Sequence, residues 1–437
     1  MTLTFSYLAR FTAFRSSLVP FFILLRLPFS FRTMLAISLL VTTKAVCQQS
    51  IRTPEQSEFR TFRTNTEGTS LINLGPFHGE ATLDVGYEYN DNAQVTNQST
   101  LSLSEIFEAL HLDMGWTLSP LNRLDLKLDG RLEENFYSNG SNQLNLDISP
   151  GSQLQLQATV GDVILRAFEQ FAIIQDPVSD PTATNQTNLN RLTNTIGIAA
   201  IKPLYHAAIG LEFDYIYSDS FSGSSADTGN SVNRNSLRLA STFGLDISPE
   251  LSYGLEASAT DNAGSGNEDI KSLSFGPYLR GHLTRLLDVD LGAGITLTDS
   301  SLSGSAPYYV SLTIRHQVFR TFQYVIGFSH DLNFSSGLSL SQNNNFFLSA
   351  QWQLLRIWTI SAGPFVNFGH VLTGFSPGNY TQYGVSIQSR FKLGKRISTG
   401  IGYRFTHREG NGTTTGTGGT NGNYAQNLLT LDLTYAF

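Results

Sequence analysis

The sequence predicts an all-β fold, a transmembrane antiparallel β-barrel of about 18 strands (range 16 to 20) with short periplasmic turns and longer extracellular loops. Three observations predict it. From about residue 79 to the end, segments of 10 to 15 residues alternate apolar and polar side chains with period two, as strands do when one face meets lipid and the other water. Tight turns and long polar loops alternate between those segments. The last segment keeps its alternation to the final residue, Phe437.

Composition narrows the alternatives. Of 437 residues, 41% are hydrophobic and only 14% charged, less charge than an ordinary soluble surface carries. No stretch after residue 50 approaches the roughly 20 consecutive apolar residues of a membrane-spanning helix, which excludes a helical membrane protein. A net charge of -7 leaves no basic footprint for a nucleic-acid partner.

In chain order, residues 1–47 read as an export signal. Arg26 and Arg32 precede an apolar run from Met34 to Val41, and Ala45-Val46-Cys47 offers small side chains where a signal peptidase reads. The long charged region before the run points to an over-extended start at Met1. Lipidation of Cys47 is the alternative, disfavoured by Val46 and Lys44. Cys47 is the single cysteine, so the mature chain carries no disulfide and no thiolate metal ligand. Residues 48–78 lack alternation and read as an irregular periplasmic lead-in; residues 79–437 form the barrel.

Alternation read against turn signals places strands at about 79–90, 105–118, 123–137, 143–160, 162–175, 189–201, 204–217, 233–247 and 250–261. The series continues at 269–283, 286–299, 306–318, 321–333, 344–355, 357–369, 379–393, 396–407 and 424–437. A soluble sandwich also alternates, but its strands are typically 5 to 6 residues long, whereas a tilted membrane strand needs roughly 9 to 11. Tight turns fall at Ser119-Pro120, Lys202-Pro203, Ser248-Pro249, Arg320-Thr321 and Gly394-Lys395, and long polar loops at 218–232, 261–268 and 408–423. Both termini then face the periplasm. Ser149-Pro150-Gly151 looks like a further turn, yet the apolar parity of Leu144, Leu146, Ile148, Leu154 and Leu156 runs through it. One long, kinked strand is the expected outcome. Pro277 and Pro364, each after a Gly inside a strand, mark local breaks in the ladder.

Leu429, Leu431, Leu433, Tyr435 and Phe437 occupy alternate positions at the end of the chain. This resembles the C-terminal signal of outer-membrane barrels, which ends in an aromatic residue and is read by the barrel-assembly machinery. Leu431, Leu433, Tyr435 and Phe437 are the expected assembly signal.

Every strand's lipid face must stay apolar, so parity assigns faces. On 286–299, Leu287, Val289, Leu291, Ala293, Ile295 and Leu297 face lipid, and Asp288 and Asp290 face the lumen. Aromatic residues near strand ends, Trp116, Tyr253, Tyr308, Trp358 and Phe391 among them, suit the interfacial girdles. The same parity sends Asp113, Asp125, Asp129 and Glu133 inward as an acidic wall, with Glu212, Asp214, Glu256 and Asp331. Inward bases are Arg390, Lys392, Arg404, Arg408, Arg315 and Arg280, a basic wall, with Lys127, Arg131 and Arg238. The second and third strands are acidic, the sixteenth and seventeenth basic, and their different sectors would set up a transverse field across a wet lumen. The competing expectation is that acids and bases pair across neighbouring strands and hold the barrel shut, at about 0.2 to 1 kcal/mol each.

The first strand reads GYEYNDN, Gly86 to Asn92, an aromatic-alternating segment running into an Asp-Asn turn. It resembles the start of the β-barrel porins associated with exopolysaccharide loci and exosortase systems. That resemblance implies an outer-membrane barrel and a role in polysaccharide passage, and it transfers no ligand residue. The oxygen-rich stretch 261–269 lacks EF-hand spacing, and His316, His330, His370 and His407 are scattered, without zinc spacing or a nucleophilic triad. No enzyme activity, metal or other cofactor is expected. The expected function is passive passage of small hydrophilic solutes through an outer-membrane channel, since 16 to 18 strands leave an aqueous lumen where eight do not. An accessory barrel of exopolysaccharide export or surface anchoring, and an adhesive barrel whose loops bind outside partners, are the alternatives. Expected partners are outer-membrane lipid, the assembly machinery, and hydrophilic solutes or polysaccharide; the alternation leaves open whether the barrel is a monomer or a homo-oligomer.

Overall fold

The computed structural model describes residues 72–74, 76–92, 103–119, 122–137, 142–149, 151–174, 191–220, 232–248, 250–264, 270–299, 308–334, 340–371, 378–410 and 423–437. The export signal 1–47, and the lead-in up to residue 71, lie outside them.

The strands are β1 (Ile72–Leu74), β2 (Phe77–Asn90), β3 (Leu103–Ser119), β4 (Asn122–Tyr137), β5 (Asn142–Ile148), β6 (Gln153–Val160) and β7 (Val163–Ile174). Next come β8 (Arg191–Pro203), β9 (Ala207–Ser220), β10 (Val232–Ser248), β11 (Leu251–Gly264), β12 (Ile270–Thr284), β13 (Leu287–Thr298) and β14 (Tyr308–Phe319). The series ends with β15 (Phe322–Phe334), β16 (Leu340–Leu355), β17 (Trp358–Val371), β18 (Gly378–Lys392), β19 (Ile397–Gly410) and β20 (Tyr424–Ala436).

Consecutive strands pair antiparallel, and the sheet closes where β2 meets β20, from Thr82 opposite Ala436 to Asn90 opposite Leu428. The result is a closed barrel of 18 staves, because β5 and β6 share one stave and β1 is a three-residue strip along β2. Closure pairs the staves on both sides over most of their described length, as hydrocarbon requires of a β-structure; β5 is the exception among the described residues, meeting β7 only at Ile148 opposite Ile173. Beyond the paired rows, the Asn92 side chain donates to the Ala425 carbonyl at 2.9 Å, and the Asn427 backbone and side-chain N–H groups donate to Asp91 at 2.7 Å. Phe437 N–H donates to the Ala81 carbonyl at 3.0 Å. The Asp-Asn turn of GYEYNDN thus clasps one end of the seam, and the terminal residue the other.

The shared stave explains the parity read through Pro150. Gly130 of β4 stands opposite Ile148 of β5, and Lys127 of β4 opposite Gln153 of β6. Two residues of β4, 128 and 129, therefore face four, 149–152. An insertion of two is even, so Leu144 and Leu146 share the outer face with Leu154 and Leu156. Ser149 N–H donates to the Asp129 carbonyl at 2.8 Å, and Asp129 N–H to Ser152 Oγ at 3.0 Å, which keeps the kink bonded. Gly161, at φ +59°, supplies the left-handed residue of the tight turn before β7.

Four boundaries differ from those read in the sequence. The barrel begins at Phe77, not 79, with β1 inside the expected lead-in. Strands β9, β11 and β19 run to Ser220, Gly264 and Gly410, into the stretches 218–232, 261–268 and 408–423 expected to be loops. The apolar signal stops where the outer face leaves lipid, but backbone pairing continues, so alternation undercounts strand length. Pro277 and Pro364 behave as expected: the β12–β13 rows skip from Phe275 to Tyr278, and the β16–β17 rows skip from Phe365 to Ala362. A proline has no N–H to give the ladder.

Candidate functional site: the lumen wall

The outer face is apolar, with Ile106, Leu132, Ile198, Leu291, Ile295 and Ile401 all exposed. The inner face is polar, and its charged side chains come together in clusters that span two to four strands. At the seam, Arg131 on β4 donates to Glu88 on β2 at 3.2 Å and lies 2.5 Å from Glu133. Further round the ring, Glu212 on β9 accepts from Arg166 on β7 at 3.2 Å and also bonds Arg238 on β10, which donates to Asp214 at 2.9 Å. On β12 and β13, Arg280 donates to Asp290 at 3.0 Å and covers the Tyr278 ring at 5.1 Å. Near the periplasmic end, Arg390 on β18 meets Asp432 on β20 at 3.1 Å and donates to Thr434 at 2.8 Å.

A small residue underlies several of these bonds. Arg390, Gly400 and Asp432 share one cross-strand row, as do Arg166, Ala199 and Glu212. The intervening strand thus presents almost no side chain, and the two charges lean over it to meet. A Cβ at Gly400 would collide with Asp432 Oδ2, and one at Gly197 with Asp214 Oδ1. Similarly Tyr309 on β14 donates to Glu256 on β11 at 3.1 Å, across β12 and β13. There Gly292 would bring a Cβ to 3.0 Å from Glu256 Oε1.

The extracellular half of the wall carries amides and tyrosines. Asn367 donates to Gln382, which donates to Tyr424 at 2.9 Å; Gln426 donates to the Asn92 carbonyl at 3.2 Å; and Tyr380 donates to Asn343 at 2.7 Å. Arg408 lies over the Tyr380 ring at 5.4 Å. Gln382 is 0% exposed, and Thr406 and Gln426 each 1%, although all three point inward. Towards the periplasmic mouth the inward Asp113, Arg315 and Gln317 are exposed. Exposure along the wall is uneven, since Ile201, Ala208 and Ser361 are buried near the periplasmic end as well.

No protein-family model matches the chain, and no curated protein matches its sequence. Solved structures do resemble it. OccAB3 of Acinetobacter baumannii matches 83% of this chain and 100% of its own, at 10% identity and a TM-score of 0.45. OccK7 (OpdD) of Pseudomonas aeruginosa matches 82% and 99%, at 12% identity and 0.44. A mutant of the ferric enterobactin receptor PfeA of Pseudomonas aeruginosa matches 82% and 80%, at 10% identity and 0.42.

All ten residues expected to line the pore point inward, but they do not form two facing walls. The basic strands β18 and β19 are separated from the acidic β3 and β4 only by β20 and β2, because closure makes the two ends of the chain neighbours. Arg280 and Arg315, on β12 and β14, lie across the barrel from the acids. Within the acidic set, Asp125 sits 2.5 Å from Arg123, Asp129 3.9 Å from His111, and Asp113 stands opposite Lys127 in register. Within the basic set, Arg280 and Arg390 are ion-paired, Arg408 is stacked, and Arg404 neighbours Ser386 in register. Arg315 and Lys392 make no ion pair among the described residues. Pairing across strands therefore accounts for more of the lumen charge than two opposed walls do. Sequence reading missed Glu88, Arg166 and Asp432 as partners. Parity alone puts each on the inner face; which base each meets depends on register two strands away.

Proposed function

We propose that this chain forms a passive outer-membrane channel for small hydrophilic solutes. The observation that carries the reading is a closed ring of 18 strands with an apolar outside and a polar inside. A ring this wide leaves an aqueous lumen. The inward residues of the basic and acidic walls form the solute-facing surface in this reading, and Arg315 and Lys392 carry the largest share. Both stand near the periplasmic mouth without an ion-pair partner among the described residues, although Asp288 lies opposite Arg315 in register, which leaves Lys392 the less compensated of the two.

Planar-bilayer recording of the refolded protein tests this. Ohmic steps are expected, and Arg315→Ala combined with Lys392→Ala should shift the reversal potential towards cation preference. Correctly folded protein that conducts nothing would remove the channel reading and leave a plugged or adhesive barrel. A polysaccharide cargo is a second reading, favoured by the amides of Asn367, Gln382 and Gln426 beside Tyr380 and Tyr424, groups suited to neutral sugar hydroxyls. Conductance blocked by neutral oligosaccharide would support it.

Leu431, Leu433, Tyr435 and Phe437 serve, in this reading, as the signal for assembly into the membrane. The first three face outward on β20, and the Tyr435 and Phe437 rings meet edge to face at 5.0 Å. Removing Phe437 should leave unassembled protein in the periplasm; normal heat-modifiable migration of that mutant would refute the assignment.

A further inference from the structure

Positive charge is distributed along this chain in a way that lumen pairing does not account for. Between residues 300 and 408 there are nine Arg and Lys and a single acid, Asp331. Part of this excess sits in the turns at the periplasmic end. Arg285 joins β12 to β13, Arg320 joins β14 to β15, Arg356 joins β16 to β17, and Lys395 and Arg396 join β18 to β19. These are four consecutive periplasmic turns, and they occupy nearly half of the rim. All five cations are exposed, and none makes an ion pair among the described residues. On the other half of the rim the exposed charges beside the turns are of both signs: Asp162, Asp246 and Glu250, with Lys202 and with Arg123, which is ion-paired to Asp125.

The same four turns carry exposed apolar side chains: Leu283 and Leu286, Phe319, Leu355 and Ile357, and Leu393. They continue the lipid-facing surface directly, since Phe322, Trp352, Trp358 and Phe391 lie on the outer face within a few residues. Apolar groups of this size are costly to leave in water. They place the edge of the hydrocarbon at the turns themselves. An arginine one residue away then stands at headgroup depth, its stem along the apolar surface and its guanidinium among the phosphates.

We propose that this half of the periplasmic rim is a binding surface for anionic phospholipid headgroups. Guanidinium groups suit phosphate oxygens by their paired N–H geometry, and clustered cations at a membrane surface attract anionic lipid additively. The proposal is independent of what passes through the lumen; it requires only that the barrel sit in a bilayer.

The test uses the full chain refolded into vesicles of phosphatidylcholine and phosphatidylglycerol in equal amounts. The barrel is extracted in mild detergent, and retained lipid is counted by native mass spectrometry. Phosphatidylglycerol should be retained several-fold over phosphatidylcholine, and the preference should vanish in about 1 M salt, where the screening length is about 3 Å. Replacing Arg285, Arg320, Arg356 and Arg396 together by Gln should abolish it, whereas Lys202→Gln, on the opposite rim, should leave it intact. Equal retention of the two lipids by the wild type, or a preference that survives high salt, overturns the proposal; equal retention leaves the rim to an acidic partner chain. Should the fourfold variant fail to migrate as a folded barrel, the wild-type salt series and the four single variants decide.

Discussion

Gly400 stands between Arg390 and Asp432, and its missing side chain lets the pair close. A Cβ there would intrude on the carboxylate, closer than any ordinary contact. Gly400→Val should therefore force the two charges apart and destabilise the barrel by about 1–3 kcal/mol, as read from urea unfolding in vesicles. Lys392→Ala, which removes a charge without an ion pair, should stay within about 0.5 kcal/mol of wild type. An unchanged midpoint for Gly400→Val would mean that the pair is not held across that row. The inward direction of Arg390 was legible in the sequence by counting. Its partner was not, because a glycine in β19 gives no sign of which charges lean over it until the register is known.

At the scale of the strand, parity decides, and the kink between β5 and β6 is its sharpest case. Four residues face two there, so the faces are conserved. Deleting Pro150 and Gly151 together preserves parity and should give a barrel that still assembles. Deleting Gly151 alone should turn Gln153, Gln155 and Gln157 towards lipid and block assembly. Heat-modifiable migration of the two mutants distinguishes the outcomes, and equal behaviour would refute the shared stave. Strand existence and facing were legible from alternation, while strand ends were not. Ser218, Asp219 and Ser220 look like loop residues, yet they pair with β8 and β10. Once the outer face leaves lipid, nothing in the side-chain pattern marks where pairing stops.

For the whole molecule, closure matters most. It joins residues more than three hundred positions apart, such as Asn92 with Ala425 and Gln426. The cost of forming such a long-range contact rises with the logarithm of the loop it closes, so the seam needs dedicated bonds beyond the ladder. Asn92→Ala should loosen its extracellular end and speed amide exchange in residues 424–428, leaving β10 to β14 as protected as before. Uniform protection across all strands would show that the ladder alone holds the seam. Closure also sets the electrostatics, since it brings the acidic β3 and β4 to within two strands of the basic β18 and β19.

By itself the sequence determined that the chain alternates, that it does so in strands long enough to cross a bilayer, their number to within a range of about 16 to 20, and which side chains face inward. Each of these is a local property of a period-two backbone under the requirement that lipid meet only apolar groups. The tertiary structure alone decided which charges meet, that a missing Cβ often lets them do so, that the two expected walls are neighbours, and which inward side chains, such as Gln382 and Gln426, are buried. Those depend on register and closure, which relate residues by position around a ring, and no count along the chain encodes that.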